Sequence, residues 1–147
     1  MTTSELPSGA ELLSSLAASG NDLPGIWSLL GMDGVEIENG KVSFTLVSRP
    51  DFANPLGTVH GGICATLLDS VMGCAVHSIL GPGFGYSTLE LKVNYIRSVG
   101  TDGVRLTGTG TVIHTGRSTA TAEGRVLDEQ GRLIAHGTTT CLIHAPN

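Results

Sequence analysis

The residues best suited to chemistry lie in one stretch, Asn54 to Asp69, with the sequence N-P-L-G-T-V-H-G-G-I-C-A-T-L-L-D. Its glycine pair, Gly61 and Gly62, stands where a long apolar segment begins. The first N–H groups of a helix have no partner inside it, and the helix dipole makes that end positive. With no side chain at either glycine, a carbonyl group can approach closely, and the Gly61 N–H can hold an oxyanion. A tight turn that needs glycine only for its conformation is the alternative.

Asp69 is the one acid within this apolar segment, and its neighbours include Leu68 and Val71. A carboxylate in such surroundings has low helix propensity and costs free energy to desolvate, so we expect it to be used or paired. A carboxylate held there suits a general base. The alternative is that Asp69 is only hydrogen-bonded to a neighbouring strand.

The spacing of these two groups makes a demand on the assembly. Gly61 and Asp69 are eight residues apart, which is ~12 Å along one helix and too far for both to act on one carbonyl. Two such helices running antiparallel about a two-fold axis would complete two sites. Thr66, Asp69 and Gly73 share one helix face, where Gly73 would permit close approach. The sequence therefore predicts a homodimer with composite sites.

The remaining segments predict one long helix and a sheet. A hairpin is expected at 35–48 around Asn39-Gly40, because alternating residues flank a typical two-residue turn. The buried helix is predicted at 60–80, and two short helices precede the hairpin at 9–20 and 23–31. Four further strands are predicted at 86–98, 103–114, 117–127 and 132–144. We expect an α+β fold with an antiparallel five- to six-stranded sheet wrapped around one central helix.

The charge of the chain limits the classes of partner that it can bind. The net charge is −5 over 147 residues, which argues against nucleic acid or an anionic membrane as the partner. Residues 1–40 hold six acids and no base, so an anion site must lie in the rest of the chain. The arginines there that could meet phosphates are Arg97, Arg105, Arg117, Arg125 and Arg132.

Cysteine and histidine spacing predicts neither a disulfide framework nor a metal site. The three cysteines are Cys64, Cys74 and Cys141, with no close pair, and we expect buried, reduced thiols. No segment resembles a signal peptide or approaches the ~18 apolar residues of a membrane span. A cytoplasmic location is expected.

The motif Asn-x-x-Gly-x-x-His-Gly-Gly, with Asp69 eight residues after Gly61, resembles the phenylacetyl-CoA (PaaI-like) branch of hotdog thioesterases. The resemblance covers residues 35–143. It divides the chain into an N-terminal helical extension at 1–34 and a hotdog thioesterase domain at 35–147. It also implies a homotetramer.

The resemblance assigns roles residue by residue. It implies that Gly61 supplies the oxyanion N–H and that His60 shapes the turn. Asn54 would help to hold the thioester or the attacking water, and Asp69 of the partner subunit would be general base or nucleophile. Thr88, in preference to Ser87, would assist. Coenzyme A is expected to pass near Gly62, Gly116 and Arg117.

These inferences predict an acyl-CoA thioesterase that releases a small aromatic or medium-chain acid and CoA without a metal or redox cofactor. Two alternatives are a hotdog hydratase or dehydratase, for which His60 beside Gly61 is a poor match, and a non-catalytic acyl-CoA-binding module. The retention of an acid in mid-helix argues against the second.

Overall fold

The computed structural model describes residues 5–19 and 25–147. Within these two ranges, three α-helices and six strands follow one another. The helices are α1 (Gly9–Ala18), α2 (Ile26–Leu30) and α3 (Gly61–Ser78). The strands are β1 (Asp33–Glu38), β2 (Lys41–Val47), β3 (Gly85–Tyr95), β4 (Arg105–Thr115), β5 (Thr119–Leu127) and β6 (Leu133–His144). A short 3₁₀ turn, Pro50–Phe52, lies in the loop before α3.

All six strands form one antiparallel sheet in the order β1-β2-β4-β5-β6-β3. The strand that follows α3 therefore pairs at the far side of the sheet, next to the last strand. This order leaves β3 at an edge, with one side free to pair. Strands β2 to β6 all contact α3, and the edge strand β1 contacts it less extensively.

A row of glycines lets α3 lie close to the sheet. Gly110, Gly124 and Gly137 are register partners across β4, β5 and β6. A Cβ atom at Gly110 would collide with the backbone of Val71 on the helix, and one at Gly124 would lie 2.9 Å from Met72 Cγ. The helix backbone therefore lies against Gly110, while the side chains of Leu68 and Met72 occupy the space that a Cβ would need at Gly124 and Gly137.

The apolar side chains of α3 fill the space beside the glycine row. Leu67, Leu68, Val71 and Met72 are each 0% exposed. Alternate residues of β2 meet them from the sheet, with Phe44 opposite Gly108 in the register. The strand alternation places these residues on the helix side of the sheet.

The C-terminal end of α3 contacts two other elements. The Ser78 hydroxyl accepts from the Gly40 N–H at 2.8 Å in the hairpin turn and donates to the Ala75 carbonyl at 2.6 Å. Gly9, at the start of α1, lies against the His77 carbonyl with no room for a side chain. The predicted N-terminal helix thus packs on the end of the central helix.

The structure confirms the predicted elements, with small shifts at their ends. The hairpin turns at Asn39-Gly40, where Gly40 has φ +84, and the predicted helix at 60–80 is Gly61–Ser78. The last residue of the predicted helix at 9–20 and the first two of that at 23–31 lie outside the described residues. No helix among residues 5–19 and 25–147 combines the length and apolarity needed to cross a membrane.

The glycine row gives a stability prediction. Gly110→Ala should lower the free energy of unfolding by about 3 kcal/mol, because the added methyl group overpacks the helix-to-sheet contact against backbone atoms. Gly85→Ala is the matched control, since a Cβ there meets nothing within 4 Å. Chemical denaturation of both variants measures the difference, and equal stability would contradict close packing at this row.

Candidate active site

Asp69 lies on the face of α3 that meets β3. Its Oδ1 accepts a hydrogen bond of 2.8 Å from the Thr88 hydroxyl. No Lys, Arg or His of the described chain forms an ion pair with it. The hydrogen bond holds the carboxylate in one orientation and leaves Oδ2 available, which is the arrangement a general base needs.

Thr88 and Ser87 differ in where they point. Ser87 is on the opposite face of β3, where its hydroxyl lies 2.6 Å from His144 Nε2. Thr88 is therefore the hydroxyl that the strand brings to Asp69. Burial raises the pKa of the nearby Tyr86 hydroxyl, and the Cys74 thiol and the Asp69 carboxylate add to the rise.

Two expectations about α3 need correction. Asp69, expected to be desolvated among apolar neighbours, is only half-buried in the single chain. Gly73, expected to admit a second helix, is instead covered by the chain's own Tyr86, whose Oη lies 2.6 Å from the place a Cβ would take. The error arose because a small residue on a helix indicates close approach without indicating which element approaches.

The start of α3 presents one free donor. His60 is the N-cap, and its Nδ1 accepts from the Gly62 N–H at 2.8 Å. The Gly61 N–H has no acceptor among the residues that the structure describes. Of the two glycines, Gly61 thus offers an N–H to an anion, at the positive end of the helix.

Tyr95, which sequence reasoning missed, covers the same point. Its hydroxyl donates to the Gly61 carbonyl at 2.7 Å, and the ring lies over the Gly61 Cα, 3.0 Å from a Cβ built there. The one sequence signal that could have indicated Tyr95 as a site residue is its aromatic side chain near the end of a predicted strand. The partner of Tyr95 becomes clear only with the tertiary structure.

A β-bulge at Leu89 places both contacts on one side of the sheet. Thr88 pairs with Cys141 and Glu90 with Thr140, so Leu89 is the extra residue. Thr88 and Tyr95 are seven positions apart and would face opposite sides of a regular strand. Because of the bulge, both face α3. The Thr139 hydroxyl donates to the Glu90 carbonyl at 2.7 Å and stabilises the bulge.

Asn54 organises the loop before α3. Its Oδ1 accepts from the N–H groups of Leu56 and Thr58, at 2.9 and 3.2 Å, and its Nδ2 donates to the Thr58 hydroxyl at 2.9 Å. One N–H of the amide is left for another acceptor. Asn54 therefore shapes the loop and still faces the cleft beside Gly61.

This cleft has a volume of about 280 Å³. Its wall includes apolar side chains and one arginine. The lining residues that matter here are Asn54, Val59, Gly61, Cys64, Tyr95, Arg97 and Ile134. An apolar recess that opens at a free N–H is typical of small-molecule sites.

Gly116 and Arg117 lie elsewhere, in the turn between β4 and β5. The register row Thr88, Cys141, Ala120 and Thr115 places that turn at the Asp69 end of the sheet. Arg117 is exposed. Within one chain, the turn with Arg117 thus lies at the same end of the sheet as Asp69, while Arg97 lines the cleft beside Gly61.

A family model for the thioesterase superfamily matches residues 56–135. The chain belongs to the thioesterase superfamily. PaaI from the phenylacetic acid degradation operon of E. coli superposes with a TM-score of 0.82 at 20% identity, over 99% of both chains. The 1,4-dihydroxy-2-naphthoyl-CoA hydrolase of Listeria monocytogenes is 26% identical over 75% of this chain and 88% of its own. A Vibrio cholerae relative is 29% identical over a matched region that covers 67% of this chain and 65% of that protein.

Membership of the thioesterase superfamily confirms the predicted enzyme class, a thioester hydrolase, and the likeness to PaaI confirms the predicted hotdog fold. The family match lies inside the predicted domain at 35–147. The division at residue 34, the roles of the site residues and the absence of a cofactor stay predictions. Among the described residues no group of three or more His, Cys, Asp or Glu side chains is placed to hold a metal.

The cysteines of this thioesterase are poor nucleophiles. Burial raises the pKa of the Cys64 thiol to about 11 and that of Cys74 to about 12. Burial also raises the pKa of Cys141. Since only the thiolate attacks, these thiols stay protonated and unreactive near neutrality.

A thiol-labelling experiment tests this conclusion. At pH 8 the native protein should react with a disulfide reagent at least tenfold more slowly than the unfolded chain, and faster only as the pH approaches 11, because a raised pKa keeps the thiol protonated over this range. Absorbance of the released thiolate measures the rate. Stoichiometric labelling at pH 8 within seconds would contradict the burial.

Proposed function

We propose that the protein hydrolyses an acyl-CoA thioester to a carboxylic acid and CoA, with Asp69 as the acid that activates water. The observation that carries the proposal is the half-buried Asp69 carboxylate, fixed by Thr88 at 2.8 Å without a cationic partner among the described residues. In a thioesterase, such a group has a clear use as general base.

The free N–H of Gly61 supplies the second requirement of the reaction. Attack of water on the thioester carbonyl places negative charge on its oxygen, and a preorganised backbone donor at a helix start stabilises that charge. The tetrahedral intermediate then expels the CoA sulfur, to which Asp69 returns the proton. This sequence of steps consumes one water and leaves the enzyme unchanged.

Both groups belong to α3 but to different sites. Gly61 and Asp69 are separated by ~12 Å along the helix, and their contacts lie at different ends of β3, at Tyr95 and Thr88. We infer that the working unit is a homodimer, in which Gly61 meets Asp69 of the partner subunit.

The free edge of β3 supports such a dimer. An antiparallel pair of β3 strands, centred near Leu91 and Lys92, midway between Thr88 and Tyr95, would bring the two kinds of half-site together. Leu89 is 58% exposed on this edge, and pairing would cover it. A tetramer of such dimers, which the family resemblance implies, and a cytoplasmic location are further proposals.

The cleft beside Gly61 supports a small acyl group. Its volume of about 280 Å³ is at the lower end for ligand pockets, which favours a small aromatic or medium-length chain. Arg97 at its rim and Arg117 in the β4–β5 turn are the cations proposed to meet CoA phosphates. The Listeria relative is named as a hydrolase of 1,4-dihydroxy-2-naphthoyl-CoA, and a naphthoyl group is an aromatic acyl group.

The hydratase alternative is weaker on this geometry. His60 Nδ1 is engaged by the Gly62 N–H, and no carboxylate of the described chain contacts the ring. A hydratase would need that histidine as its acid or base.

An acyl-CoA panel tests the proposal. The wild type should release free CoA from at least one aromatic or medium-chain thioester. Asp69→Asn should lower kcat about 10²–10⁴-fold, because the general base is lost, while Thr88→Val should lower it about tenfold. Glu123→Gln is the control, since Glu123 is exposed on the outer side of β5. Full activity in Asp69→Asn would refute the mechanism.

Asp69 could also attack the thioester directly to give a mixed anhydride, with expulsion of the CoA thiolate. Single turnover in ¹⁸O-water separates the two routes. Label in the Asp69 carboxylate identifies the anhydride, and label found in the product acid alone favours the general-base route.

A further inference from the structure

The peptide group between Gly61 and Gly62 is held from both sides. Its carbonyl oxygen accepts from the Tyr95 hydroxyl at 2.7 Å, and its N–H donates to His60 Nδ1 at 2.8 Å. A peptide group is planar, so these two contacts fix its orientation and restrict rotation on either side of it.

The preceding peptide group carries the proposed oxyanion donor. The carbonyl of His60, which shares a plane with the Gly61 N–H, accepts from the Ile63 N–H at 3.0 Å. The direction of the donor therefore depends on two successive peptide planes that meet at the Gly61 Cα. Two glycines in a row have wide backbone freedom, and contacts from outside must restrict it.

The Tyr95 ring supplies a second restraint. Carbon atoms of the ring lie 3.0 and 3.2 Å from the place of a Cβ at Gly61, so the ring rests directly on the Cα. Burial, with a contribution from Cys64, raises the pKa of Tyr95. The hydroxyl thus stays protonated and keeps its role as donor at neutral pH.

We propose that Tyr95 is a positioning residue, which orients the Gly61 N–H toward the thioester oxygen by holding the Gly61–Gly62 peptide group against His60. This inference rests on the proposed function. It assigns to the end of β3 a part in the reaction, although Tyr95 itself need not touch the reacting atoms. Preorganised donors contribute to catalysis only when their direction is fixed before the charge develops.

Removal of the hydroxyl tests the positioning role. Tyr95→Phe keeps the ring and should lower kcat about tenfold with KM within about twofold, because the donor is misdirected in the transition state while binding is retained. Thr138→Val is the control, since it removes a hydroxyl from the outer side of the sheet. Unchanged kcat in Tyr95→Phe, or a loss confined to KM, would overturn the proposal.

A double-mutant cycle tests the contact of the ring with Gly61. Gly61→Ala alone should lower kcat about a hundredfold, because the methyl group displaces either the ring or the helix start. In the Tyr95→Ala background the same change should cost at least tenfold less, because the colliding ring is gone. Additive effects would show that the two residues act independently and would overturn the proposal.

An activity-independent readout separates failure of this inference from failure of the proposed function. In ¹⁵N-glycine spectra, the Gly62 amide signal should shift in Tyr95→Phe, since the carbonyl of its own peptide group loses a donor, while the Gly85 signal should not. If no acyl-CoA is hydrolysed but the Gly62 signal shifts, the thioesterase proposal fails and the positioning role of Tyr95 is supported. If the Gly62 signal does not shift, the positioning role of Tyr95 is overturned even when the enzyme is active.

Discussion

The close approach of α3 to the sheet is the constraint on which the rest of the molecule depends. Gly110, Gly124 and Gly137 form one row across three strands, where the helix backbone lies against Gly110 and the side chains of Leu68 and Met72 lie against the other two. This spacing sets how far side chains of β3 must reach to touch the helix. On β3, the short hydroxyl of Thr88 reaches Asp69, and the Tyr95 ring lies against the bare Cα of Gly61.

The bulge in β3 converts that packing into two half-sites. A regular strand would send Thr88 and Tyr95 to opposite faces, whereas the extra residue at Leu89 turns both toward the helix. The same strand thus contacts the proposed base at one end and the proposed oxyanion donor at the other. Because β3 is an edge strand, pairing of two copies would join the half-sites without new elements.

Much of this architecture could be predicted from the sequence. The Asn39-Gly40 turn, the continuous apolar run of α3 and the Gly-Gly start each have a local physical signal, and each prediction holds within about two residues at the ends of its element. The free N–H at the helix start and the ~12 Å between Gly61 and Asp69 likewise follow from helix geometry alone. These features follow from residues that are neighbours in the chain.

The features that escaped prediction depend on distant contacts. Strand order places β3 beside β6, and no local pattern encodes that choice. The bulge is invisible in the sequence because Leu89 fits the alternation of an ordinary strand, so the inward direction of Tyr95 could not be foreseen. Gly73 was misassigned for a related reason, since its neighbour Tyr86 comes from a strand whose register was unknown.

Subunit complementation tests whether each active site uses Gly61 of one chain and Asp69 of the other. Differently tagged Gly61→Ala and Asp69→Asn chains would be co-expressed and the heterodimer isolated by tandem purification. One of its two sites is then intact, so we predict about half of the wild-type activity per dimer, although each homodimer is nearly inactive. Pairing Asp69→Asn with Asp69→Ala leaves no intact site and is the control. A heterodimer no more active than that control would contradict the account.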